Sequence, residues 1–123
     1  MPPANQQTDA RSAWTSVYPF EPYNGGQGVS LAAGTVSSSV TLLGMFGQPQ
    51  NVNVAVVFNT GSVFAFVRFG GSTVTADTGS MAVPPGGAIT VSLYGVNQQT
   101  PSHMAAITAS GSATLQITTG FGN

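Results

Sequence analysis

The chain has 123 residues, a length that suits one domain, with two arginines, no lysine, three acidic residues, one histidine and no cysteine. Two basic side chains cannot form the basic patch of a nucleic-acid-binding protein or of a protein that binds anionic lipid. No apolar run approaches the roughly 18 residues of a membrane-spanning helix, and the N-terminus lacks the basic and apolar regions of a secretory signal. We therefore expect a nearly uncharged globular protein with no nucleic-acid or membrane partner.

The scarcity of charge is itself informative about the surface. Charged residues make up 4% of this chain, against about a quarter of an average chain. Interface cores are depleted in charge because burying ions is costly, and a net charge near zero promotes association. We predict a surface that lies against other protein. The alternative is a free β-protein with a hydroxyl-rich exterior.

The first part of the chain, residues 1–27, differs from the rest in being rich in proline and in aromatic residues. Prolines favour extended or turn conformations, so we predict an extended N-terminal arm. Its four aromatic residues are Trp14, Tyr18, Phe20 and Tyr23. Disordered tails are depleted in aromatics, so these side chains are expected to dock. They dock either onto their own domain or onto a partner, and we regard them as candidate partner-binding residues.

The remainder, residues 28–123, shows β patterning throughout, in which short runs rich in Val, Thr, Phe and Ile alternate with Gly, Pro and Asn signals. The fold class is therefore all-β, a single antiparallel β-sandwich of seven or eight strands with jelly-roll or Ig-like strand order. The predicted strands are 28–33, 35–43, 51–58, 62–69, 72–76, 88–94, 103–109 and 112–118. We expect tight hairpins at 59–61, at 70–71 and at 110–111.

One predicted strand is apolar on both faces, because Phe64 and Phe66 interleave with its other apolar residues. Such a strand is either covered on both sides or meets the arm or a partner. Arg68 lies on the same strand, and Asp77 is its expected intrachain ion-pair partner. His103 either hydrogen-bonds a neighbouring loop or contacts another subunit. Phe64, Phe66, Arg68 and His103 are thus the candidate subunit-interface residues.

Catalytic residues are not predicted anywhere in the chain. The single histidine, His103, excludes a metal site of the His₃ or His₂Glu type within one chain. A serine triad drawn from His103 and Asp77 would lack the nucleophile elbow and its strand-turn-helix context. No glycine-rich stretch matches a dinucleotide or phosphate-binding fingerprint. We expect a non-enzymatic protein without a metal or cofactor.

Two segments carry a resemblance to a known group. The run Val67-Arg68-Phe69-Gly70 is followed by Met81-Ala82-Val83-Pro84-Pro85-Gly86, and the chain ends with H-M-A-A-I from His103 and G-S-A-T-L from Gly111. Over residues 51–122 this pattern resembles the small structural proteins of tailed bacteriophages, although Ala82-Val83 stands where those chains usually have an isoleucine.

The resemblance implies a virion protein, assembled in the host cytoplasm and located on the capsid surface. It implies a decoration (cement) protein that binds the major capsid protein and self-associates, as a homotrimer in many such proteins. Two alternatives remain open. One is another virion component, such as a head-fibre base, a head–tail protein or a tail protein. The other is a carbohydrate-binding sandwich in which exposed Trp14, Tyr18 or Tyr94 would stack on sugars.

Overall fold

The computed structural model describes residues 20–43, 53–93 and 101–122, and this part of the chain is built from β-strands. The described residues contain nine strands: β1 (Glu21–Pro22), β2 (Val29–Ala33), β3 (Ser38–Thr41), β4 (Val54–Asn59), β5 (Ala65–Gly70), β6 (Met81–Val83), β7 (Ala88–Ser92), β8 (His103–Thr108) and β9 (Ala113–Phe121). A 3₁₀ turn, Tyr23–Gly26, follows β1. None of the described segments forms a helix long and apolar enough to cross a membrane. The all-β prediction is confirmed.

The strands form two antiparallel sheets. In sheet I, β9 is central, with β1 and β2 paired to successive parts of one of its edges, β4 on its other edge and β7 beyond β4. Sheet II has the order β3-β8-β5-β6. The predicted antiparallel sandwich is thus confirmed.

The strand order identifies the topology. The strand pairs are nested in the sequence. The outermost pair is β2 with β9, followed by β3 with β8, β4 with β7, and the innermost pair β5 with β6. These four nested pairs are rolled up so that β9 lies beside β4 and β8 beside β5. Nested antiparallel pairs closed in this way form the eight-stranded jelly roll. Of the two strand orders predicted, the structure has the jelly roll and not the Ig-like one.

Two predicted hairpins are wrong, because the strands that they join lie in different sheets. Strands β4 and β5 flank the turn at 59–61, and β8 and β9 flank the turn at 110–111, yet each pair is divided between sheets I and II. Side chains hold these connections. Thr108 Oγ1 donates to the Gly111 carbonyl (2.8 Å), and Gly111 adopts a φ of 73° that favours glycine. The turns are therefore sheet-to-sheet crossings.

The predicted strand at 72–76 is also wrong, and with it the hairpin at 70–71. The Val74 amide donates to the Gly71 carbonyl (3.1 Å), which closes a turn directly after β5. The Ala76 amide donates to Ser37 Oγ (2.9 Å), so this segment is bound to the β2–β3 connection. The strand that pairs with β5 is instead β6, which the sequence analysis did not predict.

The core lies between the sheets and follows the period-two alternation. Its largest fully buried apolar side chains are Val57, Val67, Val83, Leu93, Met104, Leu115 and Ile117. Burying an apolar side chain of this size contributes roughly 1.5–3 kcal/mol each. Two buried hydroxyls satisfy backbone carbonyls, that of Thr108 in its turn and that of Thr119 on Leu43 (2.8 Å). Apart from the completely buried Asn59, the core is thus apolar, and these two buried hydroxyls are hydrogen-bonded.

Candidate interaction surface

The described end of the predicted arm lies on its own domain. Strand β1 pairs with the end of β9, and the ring of Phe20 lies over Gly120, where a Cβ atom would be 2.8 Å from the ring carbons Cε1 and Cζ. Tyr23 packs against the hydrophobic core. For Phe20 and Tyr23 the structure therefore shows intrachain docking. The other two candidates, Trp14 and Tyr18, lie outside the described residues.

The sheet II outer face brings together the candidate interface residues. We define it by the solvent-accessible, outward-pointing residues of β5, β6 and β8 and by the residue that precedes β5: Phe64, Phe66, Arg68, Ala82, His103 and Ile107. Their neighbours in sequence, such as Ala65, Val67 and Met104, point into the core. All four predicted interface residues, which are separated in sequence by up to 39 positions, belong to this one face.

This face is apolar over most of its width. Phe66 lies in register with Ala82 on one side and with Ile107 on the other, so one row of apolar side chains crosses three strands. Phe64 is 51% exposed, and Phe66 and Ile107 are half-buried. The end of the arm does not cover these side chains, because it packs on sheet I. An exposed apolar row of this kind is typical of an interaction site.

Arg68 is the one cation of the described residues, and it lies exposed at the border of this row. It lines a shallow cavity of about 410 Å³ together with Asp77, Ser80 and Met81. The expected ion pair with Asp77 is nevertheless not formed between these two described residues. Asp77 Oδ1 instead accepts the Gly79 amide (2.9 Å), which closes a side-chain turn in the β5–β6 connection.

His103 is held by hydrogen bonds within the chain. Its Nδ1 lies 2.7 Å from Ser102 Oγ, and its Nε2 lies 3.1 Å from Thr41 Oγ1 on the neighbouring strand β3. Both ring nitrogens thus have partners, one donating and one accepting in the neutral ring. Of the two predictions for His103, the structure shows the hydrogen bonds to its surroundings, which fix the ring at the edge of the sheet II outer face.

The outer face of sheet I has a different chemistry. Its outward residues on β9 are Thr114, Gln116 and Thr118, and those facing them on β4 include Val56 and Phe58. Phe58 is 41% exposed. Hydroxyl and amide groups can therefore hydrogen-bond water over most of this face, in contrast to the sheet II outer face.

Asn59 is the most informative residue that the sequence analysis missed. Its side chain is completely buried, its Nδ2 donates to the carbonyls of Val63 (2.9 Å) and Val83 (3.0 Å), and its Oδ1 accepts the Gly61 amide (2.8 Å). The amide thereby connects β4 of sheet I to β6 of sheet II. Its only sequence signal was an Asn-Thr-Gly turn, which does not distinguish a buried amide from an exposed one.

The described residues include few side chains that could bind a metal ion or act in catalysis. No group of three or more His, Cys, Asp or Glu residues that could hold a metal ion occurs in segments 20–43, 53–93 and 101–122. The described residues instead form a contact surface, which consists of the apolar row through Phe66 and the cavity lined by Arg68 and Asp77.

Comparisons with known proteins add no identification. No protein-family model matches the chain, and no curated protein matches its sequence. The resemblance to structural proteins of tailed bacteriophages therefore stays a prediction from the quoted residues.

Proposed function

We propose that this chain is a non-enzymatic structural protein of a virion, which binds the outside of a phage capsid as a decoration protein. In this proposal the N-terminal arm reaches the major capsid protein, and the sheet II outer face makes contacts between copies of the chain. The observation that carries the proposal is the exposed apolar row through Phe66 on a nearly uncharged domain. Such a surface favours protein neighbours over ions, nucleic acid or membrane headgroups.

The jelly roll supports this proposal in a second way. Jelly-roll domains recur in viral capsid proteins, although the fold alone does not determine function. Short connections at 34–37, 60–64, 84–87 and 109–112 hold the strands at one end of the sandwich. A rigid body of this kind can present the same contacts in many copies, so that modest individual affinities sum to high avidity on a shell.

The arm can be tested without disturbing the fold. Since Phe20 to Tyr23 belong to the folded domain, the deletion should remove residues 1–19 and keep β1. We expect the full chain to cosediment with empty shells of the phage that encodes it, and the shortened chain to lose binding while keeping its thermal unfolding transition. Full-length chain that fails to bind such shells at concentrations far above those of the shell subunits would contradict the proposal.

The carbohydrate-binding alternative gains no support from the described surface. The aromatic residues on which it depends, Trp14, Tyr18 and Tyr94, all lie outside the described residues. It stays a prediction, and binding of a glycan by the chain lacking residues 1–19 would favour it over the capsid proposal.

A further inference from the structure

Arg68 and Asp77 have opposite charges and border the same cavity, and they form no ion pair within the described chain. Both line the shallow depression of about 410 Å³ beside β5. Of the two carboxylate oxygens of Asp77, Oδ1 is engaged with Gly79 and Ser80, whereas Oδ2 has no partner among the described residues. One small patch therefore holds a free guanidinium and a free carboxylate oxygen next to the apolar row.

A patch of this composition is complementary to itself. In a contact with two-fold symmetry the same patch is used by both copies, so that residue i of one copy meets residue j of the other and the reverse. We propose that two copies of this chain associate about a two-fold axis through the sheet II outer face. The Arg68 guanidinium of each copy binds the Asp77 carboxylate of the other.

The apolar row explains why the pair forms between copies and not within one. An exposed arginine–carboxylate pair contributes little, since water screens it and both side chains lose freedom. Between two copies, Phe66 and Ile107 from each side exclude water around the charges, which strengthens the attraction. Arginine also suits this role because its guanidinium is always charged and is more weakly hydrated than an ammonium group, which favours ion pairs within interfaces.

The area of the sheet II outer face determines how strong the dimer is expected to be. The three strands that form this face have 6, 3 and 6 residues, and at about 3.3 Å per residue and about 4.8 Å between strands they present roughly 240 Å² on each copy. Two such faces lie below the roughly 1,200 Å² at which stable interfaces begin. The dimer is therefore weak, and it forms at the high local concentration that an assembly provides.

This inference rests on the self-association in the proposed function and replaces the homotrimer that the resemblance implies. Its test uses the free chain without capsid. A failure of dimerisation would leave capsid binding through residues 1–19 untouched, and a failure of capsid binding would leave the dimer untouched.

The experiment measures molecular mass by sedimentation equilibrium over a concentration series from micromolar to millimolar. We expect the wild-type chain to approach the mass of a dimer. Arg68→Asp and Asp77→Lys each place like charges opposite one another, which should weaken dimerisation by at least about 100-fold. An equimolar mixture of the two variants restores both ion pairs, so we expect a heterodimer of about wild-type affinity.

Two matched control variants separate the effect of the charge on dimerisation from any effect on the local fold. Asp77→Asn keeps the oxygen that accepts the Gly79 amide and removes only the charge, so it should weaken dimerisation without altering thermal unfolding. Gln116→Glu adds a charge on the outer face of sheet I and should leave the dimer intact. A trimeric or strictly monomeric wild-type mass, unchanged association of either charge variant, or a mixture that fails to form the heterodimer would each overturn the proposal.

Discussion

The buried amide of Asn59 should be a major contributor to the stability of the jelly roll. The substitution Asn59→Ala removes three hydrogen bonds to backbone groups. The Val83 carbonyl is then left buried without a partner, which costs about 2 kcal/mol, whereas the partly buried Val63 and Gly61 groups can reach water and cost about 1 kcal/mol each. We expect a loss of about 4 kcal/mol in the free energy of unfolding, measured by urea denaturation monitored with fluorescence or circular dichroism.

A second amide provides the matched control for this prediction. Asn53 forms a reciprocal pair with the backbone of Gly122, donating to its carbonyl (3.1 Å) and accepting its amide (3.0 Å), but it is only partly buried. Asn53→Ala should therefore cost about 1 kcal/mol, since water replaces both bonds. If Asn59→Ala lost no more free energy of unfolding than Asn53→Ala, the assignment of Asn59 as a bridge between the sheets would be refuted.

Two further predictions concern the core and the end of the arm. Leu115→Ala should reduce the free energy of unfolding by about 2–5 kcal/mol because Leu115 is completely buried, whereas its exposed neighbour Gln116→Ala should change it by less than about 0.5 kcal/mol. Gly120→Ala places a methyl group against the ring of Phe20 and the Glu21 carbonyl, so β1 should detach and limited proteolysis should cut near residue 22. Gly34→Ala, where a Cβ atom meets open space, should leave the proteolysis pattern unchanged.

The positions of most strands could be predicted from the sequence, but their partners could not. In the segment 53–59, the period-two pattern placed β4 to within three residues, but the structure buries Ala55, Val57 and Asn59 and leaves Phe58 on the outer face, so the pattern located the strand and not its buried side. The same alternation arises whether a strand returns beside its predecessor or crosses to the opposite sheet. At 110–111 the chain crosses from one sheet to the other, and the hydrogen bond from Thr108 to Gly111 holds this crossing. That hydrogen bond depends on tertiary geometry.

Part of the candidate surface could also be predicted from the alternation of side chains along a strand. Phe64, Phe66 and Arg68 share one face by alternation alone, and the excess of aromatic residues there indicated that the face is not an ordinary solvated one. His103 joins them only because β8 lies beside β5, a pairing over 30 residues apart in sequence. The expected Arg68–Asp77 pair within the chain was wrong because the turn at Gly79 holds the Asp77 carboxylate through Oδ1, a local interaction that the alternation along β5 does not predict.

The two outer faces together explain how a chain with so few charges can be selective in its contacts. Net charge near zero removes the repulsion that keeps most proteins apart, so an apolar surface on every side would promote unspecific aggregation. On the outer face of sheet I, the threonine and glutamine side chains of β9 retain water through hydrogen bonds beside the exposed ring of Phe58, which weakens association there. Contact is then favoured on the sheet II outer face, where the apolar row and the charges of Arg68 and Asp77 set both the location and the orientation of a neighbour. Scarcity of charge increases this specificity, because no other cation on the described surface competes with Arg68 for a carboxylate.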